Sequence, residues 1–152
     1  MDIRLANESD LGKVLEFGRK LYEAESLIEP KLKYSADASK SHYLNEMKNP
    51  RAFIAIAMQN EDMAGYIYGH LRTIEYFHKN PQECIIEAIY IDERFRSMGV
   101  ATSLIDFALR WGTQHSVIRY KVGVYSKNDH SMKLFQKAGF EDYHRTLVKK
   151  NG

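Results

Sequence analysis

The sequence predicts an α+β fold: a central, partly antiparallel sheet flanked by helices, in the order β-α-α-β-β-β-α-β-α-β. Three observations carry this prediction. Two stretches, Leu11 to Leu21 and Val100 to Trp111, repeat apolar residues at helical spacing. Three apolar runs lie between Ala52 and Ile91, rich in the Ile and Tyr that suit a pleated surface. A later run alternates Ile118, Tyr120, Val122 and Val124, the two-residue period of a strand.

Taken in order, Asp2 to Ala6 alternates and predicts a short strand. Asn7, Ser9 and Asp10 supply N-cap chemistry for a helix reaching about Glu25, with Leu11, Val14, Leu15, Phe17, Gly18 and Leu21 on one face. Ser26 to Ala36 contains Pro30, lacks a period and predicts a loop. Asp37 or Ser39 then caps a second helix, with Tyr43, Leu44 and Met47 inward, and Asn49-Pro50 ends it. Ala52 to Met58, Met63 to Ile74 and Cys84 to Ile91 predict strands. Gly65 and Gly69 in the middle run mark a bulge or a close backbone approach. A helix from Gly99 or Val100 to about Gln114, a strand over Val117 to Tyr125, a helix capped by Asn128 and stopped by Ala138-Gly139, and a last strand over Phe140 to Val148 complete the chain.

The 152 residues fit one domain spanning 1–152, with no linker or repeat. With 22 basic against 20 acidic residues the formal net charge is +2, so charge gives no reason to propose a nucleic-acid partner. The polar N-terminus does not read as a signal peptide, and no apolar run is long enough for a membrane span. Cys84 is the single cysteine, which excludes an intrachain disulfide and fits a reducing compartment; the expected location is the cytoplasm. No His pair has metal-site spacing, so no metal is expected.

Arg96-Ser97-Met98-Gly99-Val100-Ala101 sits where a strand gives way to a helix. A helix N-terminus presents unpaired N–H groups and a partial positive charge. Gly99 lets a ligand approach the backbone, Arg96 adds charge, and Ser97 and Thr102 add hydroxyls, so the segment reads as a pyrophosphate cradle or as a plain strand-to-helix turn. It is neither a Walker A loop nor a Rossmann fingerprint.

This arginine-x-x-glycine-x-alanine run opening a helix resembles the acyl-CoA pyrophosphate loop of the GNAT superfamily of N-acyltransferases. Asn128, Ser131, Leu134-Phe135 and Lys137-Ala138-Gly139-Phe140 resemble that family's next motif in the same register, and Ile85 to Asp92 looks like its fourth strand. The resemblance implies a GNAT-like fold that takes acetyl-CoA as donor and a primary amine, small-molecule or peptide, as acceptor. It implies that Arg96, Ser97, Met98, Gly99, Val100 and Ala101 hold the pyrophosphate with help from Thr102. The backbones of Ile89 and Ile91 would pair with the pantetheine arm between splayed fourth and fifth strands. Asn128 would contact the cofactor and Phe135 would pack beside the thioester. Position 135 departs from the pattern: the family commonly has a tyrosine there that protonates the leaving thiolate, and phenylalanine has no proton to give. That leaves an acyl-CoA sensor without turnover as the alternative to an enzyme.

A lysine-like amine, with a pKa of about 10.4, is neutral in roughly one molecule in a thousand near neutral pH, so a base helps. Glu87 is the candidate. On simple alternation it shares a face with Ile85, Ile89 and Ile91, where burial would raise its pKa; pairing with a structural arginine or an outward turn at a bulge are the alternatives. His70, beside Gly69, is the histidine to watch. Tyr22, Glu23, Glu25 and Glu29 could attract a cationic amine. The dozen or so residues after Gly139 have room for one strand, which leaves open a homodimer in which a partner chain completes the sheet.

Overall fold

Asp2–Leu5 forms β1 at one edge of the sheet. Asn7 then caps a short 3-10 turn: its side chain accepts from Ser9 N–H, and the Asp10 carboxylate accepts from Asn7 N–H. The chain continues into α1, Leu11–Ser26, and after a loop into α2, Ala36–Lys48. Ser35 caps α2 by accepting from Ala38 N–H, upstream of the Asp37 or Ser39 expected from sequence. The strands β2 (Ala52–Gln59), β3 (Asp62–Thr73) and β4 (Gln82–Ile91) follow, then α3 (Val100–Gln114), β5 (Arg119–Val122) and α4 (Asp129–Lys137). This is a computed structural model that describes residues 1–152.

The five strands lie in chain order, antiparallel throughout except for β4 and β5, which run parallel. Helices cover both faces. Under α3 and α4 the core gathers Phe53, Ile67, Cys84, Ile86, Leu104, Ile105, Trp111 and Phe135. Under α1 and α2 it gathers Val14, Phe17, Ile54, Ile56, Tyr66 and Tyr68, with Tyr43 and Met47 packed against them. Cys84 is fully buried, which pushes its thiol up to about 12 and makes it a small hydrophobe rather than a nucleophile.

The third strand is one continuous element, and its two glycines are both close approaches. A side chain at Gly65 would meet the Tyr90 carbonyl oxygen at 2.6 Å, and one at Gly69 would meet the Ile85 carbonyl oxygen and the Phe53 ring at 2.7 Å. Gly69 also flanks a register shift. Tyr68 pairs with Ala88 and Gly69 with Ile86, which leaves Glu87 without a partner.

Two sequence expectations fail at the far edge. The fifth strand is four residues long instead of spanning Val117 to Tyr125, because its pairing with β4 ends at Val122, opposite Ile86, and Gly123 follows. The last strand, expected over Phe140 to Val148, is absent. The last backbone hydrogen bond of the chain is Phe140 N–H to Phe135 O, and residues 141–152 make none. A strand needs a neighbour to take its N–H and C=O groups, and nothing in the chain provides one here.

Candidate functional site

Strand β4 builds the site. Its first half, Glu83 to Ile86, pairs with β5; its second half does not, and the two strands part beyond Ile86 and Val122. A cleft of about 410 Å³ opens at the parting. Ile86, Glu87, Ala88 and Ile89 line one side, and Val122, Gly123, Val124 and Tyr125 the other. Leu21 and Glu25 of α1 and Asn128, Ser131 and Phe135 of the α4 turn complete it.

The bulge sets the direction of Glu87. Cys84 and Ile86 face α3, and so do Ile89 and Ile91; Ala88 and Tyr90 face α1. Glu87 therefore does not share a face with Ile89 and Ile91, as alternation predicted. The extra residue moves it out of step, and its side chain is half-exposed rather than buried among isoleucines. Its Oε1 lies 2.8 Å from His70 Nε2 on the neighbouring strand, while His70 Nδ1 lies 3.2 Å from the Leu71 carbonyl oxygen. No arginine pairs with Glu87. The buried carboxylate on β4 is Glu83, 1% exposed, which takes Arg119 at 3.2 Å with Arg72 and Lys121 nearby.

Beyond the bulge lies a polar, aromatic face between α2 and β3. The Tyr68 hydroxyl donates to Glu46 Oε2 at 2.7 Å, and the Tyr43 and Tyr66 hydroxyls are 3.1 Å apart. Burial raises the hydroxyl pKa of Tyr43, and the charges of Glu25 and Glu87 add to the shift. Burial alone pushes the Glu25 carboxyl up. At Tyr125, burial acts first, then Glu25 and Glu29, and again the pKa rises. Glu25 and Glu29 thus act on Tyr125, Glu25 and Glu87 act on Tyr43, and no basic side chain lines the cleft.

The loop after β4 turns sharply: Ser97 has φ 63° and Gly99 φ 82°. Gly99 caps α3 without a side-chain hydrogen bond, and a Cβ there would meet nothing within 4 Å. The backbone N–H groups of Ser97, Met98, Gly99, Val100, Ala101 and Thr102 donate to no acceptor within the chain. The side chains of Arg96, Ser97, Met98 and Thr102 are exposed, whereas Val100 is buried in the core and offers only its backbone. Arg96 folds back, donating from Nε to the Ile91 carbonyl oxygen at 3.1 Å and lying over the Tyr90 ring. A run of free N–H groups at a helix N-terminus is chemically suited to phosphate oxygens.

Of the residues singled out from sequence, the cleft brings together Glu25, Glu87, Ile89, Asn128, Ser131 and Phe135. Ile91 and the segment Arg96–Thr102 lie outside it, at the end of β4 and the start of α3. Asn128 spends its Oδ1 on the Ser131 N–H and so caps α4. Phe135 is buried, with its ring edge-on to Phe140. Tyr120 is structural: its hydroxyl donates to the Leu109 carbonyl and contacts Thr113 Oγ1. Sequence reasoning gave no site role to Leu21 or to the wall from Val122 to Val124. The available signal was Gly123, which interrupts the alternation where the strands part.

The chain belongs to the GNAT acetyltransferase family: the family's sequence profile, described as Acetyltransferase (GNAT) family, matches residues 18–140. No curated protein matches it. Among solved structures it is similar to a mutant of the BH1408 protein from Bacillus halodurans, with TM-score 0.90 and 18% identity over 99% of each chain. It is also similar to the aminoglycoside acetyltransferase AAC(6')-Iy in complex with a CoA-linked bisubstrate analog, with TM-score 0.82 and 23% identity over 99% of this chain and 97% of that one. The aminoglycoside 6'-N-acetyltransferase AAC(6')-IG from Acinetobacter haemolyticus matches with TM-score 0.80 and 21% identity over 100% of this chain and 99% of that one. These likenesses establish the shared fold.

Proposed function

We propose that the chain is an N-acetyltransferase that moves an acetyl group from acetyl-CoA to a primary amine by direct attack in a ternary complex. The observation that carries this reading is the cleft where β4 and β5 part, with Glu87 turned into its wall by a bulge. Acetyl-CoA supplies the thioester. The free N–H groups from Ser97 to Thr102, with Arg96 beside them, hold the pyrophosphate. The backbone of Ile89 and Ile91, left without a strand partner on the β5 side, pairs with the extended pantetheine arm. Asn128 and Phe135 bound the acyl end.

Glu87, directly or through a water, takes the proton of the ammonium so that the neutral nitrogen attacks the carbonyl carbon. The C–N bond forms, N–H groups near Ile89 stabilise the oxyanion, and the C–S bond breaks, the second proton of the nitrogen passing to the departing thiolate. Phe135 cannot protonate the departing thiolate. Tyr125 and Ser131 are the hydroxyls in the cleft.

The acceptor we infer is a small cationic amine. Glu25, Glu29 and Glu87 gather negative charge near the cleft with no cation in its lining. The aminoglycoside acetyltransferases that share the fold agree with such a class. Phe135 in the usual tyrosine position favours a second reading, an acyl-CoA-binding sensor without turnover. Free-thiol release from acetyl-CoA, measured against a panel of polyamines, aminoglycosides, amino acids and peptides, separates the two. Turnover with one class, lost in Glu87→Gln, supports the enzyme and its base. Binding of acetyl-CoA without thiol release across the panel supports the sensor.

A further inference from the structure

The face of the sheet that carries Glu87 holds charge of both signs. Leu71, Cys84, Tyr120 and Val122 pack toward α3, so His70, Arg72, Glu83, Arg119 and Lys121 face the other way. Glu87 joins them through its contact with His70. The register sets these residues in two rows. His70 lies opposite Ile85 and Ile85 opposite Lys121; in the next row Arg72 lies opposite Glu83 and Glu83 opposite Arg119. Arg72 is therefore two residues along β3 from His70, about 7 Å, and Lys121 is two strands across from it, about 10 Å.

The three cations share one carboxylate. Glu83 is 1% exposed, and Arg119 takes both of its oxygens, from Nε at 3.2 Å and from Nη2 at 3.4 Å. Arg119 is fully engaged: it also donates to the Tyr76 and Tyr143 hydroxyls and lies over the Phe77 and Tyr143 rings. Arg72 and Lys121 are not. They stop 3.7 and 3.8 Å from Glu83, too far for a good hydrogen bond, and their side chains donate to no other group of the chain. Both reach water, with Arg72 53% and Lys121 34% exposed. The cleft itself holds Glu25 and Glu87 and no cation. The surface leading from Glu87 thus changes sign within two rows.

We infer that the acceptor is a zwitterion: its ammonium meets Glu87, and a carboxylate at its far end meets Arg72 and Lys121. This rests on the acetyltransferase reading and narrows its acceptor. The proposed donor site, at the start of α3 and along α4, leaves the Glu87 side of the sheet to the amine. Spacing then sets the length. An extended chain spans about 3.5 Å per residue, so an α-amino acid falls short of Arg72, whereas a dipeptide or an ω-amino acid of equal length reaches it. A guanidinium takes a carboxylate with two parallel hydrogen bonds, which Arg72 has free to give. A diamine of the same length would set its second ammonium against two cations.

The test measures thiol release from acetyl-CoA by the full chain with glycylglycine, glycylglycinamide, δ-aminovalerate, glycine and cadaverine. Glycylglycine or δ-aminovalerate is expected to lead in kcat/KM, by about tenfold over glycylglycinamide and cadaverine, and the leader tells a peptide from an ω-amino acid. Arg72→Gln and Lys121→Gln are each expected to raise KM for the leading zwitterion several-fold and to leave kcat/KM for glycylglycinamide little changed. A purely structural role would lower both. Neither side chain is buried, and thermal melting checks that each variant folds. Cadaverine or glycylglycinamide matching the zwitterions overturns the inference and leaves the acetyltransferase standing. Equal losses for the zwitterion and the amide in the two variants do the same, and so does turnover confined to amines without a carboxylate. No thiol release from any amine removes the reading beneath it as well.

Discussion

The Glu87 carboxylate lies 2.8 Å from His70 Nε2, across adjacent strands, while Nδ1 of the same ring faces the Leu71 carbonyl at 3.2 Å. A neutral imidazole has one N–H to share between these two oxygens, and an imidazolium has one for each. His70 therefore holds the Glu87 carboxylate in place.

Glu87→Gln keeps the shape and removes the carboxylate proposed as the base. It is expected to lower kcat by about 10²-fold or more with little change in KM for acetyl-CoA. His70→Asn leaves the carboxylate and removes its partner. A smaller fall in kcat is expected, together with an altered pH profile, which a role in strand packing alone would not produce. Steady-state thiol release across pH checks both variants.

Arg96→Glu sets a carboxylate beside six unpaired N–H groups that are suited to an anion. The expected result is a rise of about tenfold or more in KM for acetyl-CoA with kcat retained, seen also as weaker CoA binding by calorimetry. Gly99→Ala meets no atom within 4 Å but must hold φ 82°. It is expected to cost about 1 kcal/mol of stability by thermal melting.

Gly69→Ala faces backbone and an aromatic ring at 2.7 Å, neither of them a flexible chain end. The sheet has to shift at its own bulge, and destabilisation of about 1–3 kcal/mol is expected in urea unfolding. The same substitution displaces Glu87, so residual activity is expected to fall more than the folded fraction does.

Arg4 grips Asp10 with two hydrogen bonds, of 2.8 and 3.1 Å, and Asn7 N–H adds a third at 2.8 Å. The arginine holds the carboxyl below its ordinary value, and Asn7 helps against the opposing effect of burial. A depressed carboxyl contributes stability that is complete above its unfolded pKa, about 3.9, and is lost as pH falls through the folded value. Asp10→Asn is expected to cost about 1.5 kcal/mol at neutral pH and nothing at acid extremes, which unfolding curves taken across pH measure.

Much of the fold was legible because local patterning and tertiary packing agree. The continuous apolar runs of β2, β3 and β4 are too short for helices and fit strands covered on both faces, and the apolar stripe of α3 has one face to bury. The loop at Arg96–Thr102 was legible for a related reason: Gly99 and the helix start constrain the backbone whatever the surroundings. Glu87 was misread because a period of two assumes an unbroken ladder. The bulge that breaks it depends on Gly69 meeting Phe53, a contact between residues of two other strands. The last strand was overcalled because β propensity records a preference for pleated surface, not the presence of a neighbour. Val124 and Leu21 carry no local mark, since a cleft wall is defined by the parting of two strands distant in sequence.

The odd residue in β4 leaves a mark on how the strand tolerates change. Before it, the positions beneath α3 are even, Cys84 and Ile86; after it they are odd, Ile89 and Ile91. The strand is written in two phases joined at Glu87. A saturation scan scored for folding would show intolerance to polar residues that jumps parity at that point. Removing Glu87 altogether would rejoin the phases and restore an unbroken ladder. The chain would then be better ordered as a sheet at the one place where it had carried a carboxylate to the cleft.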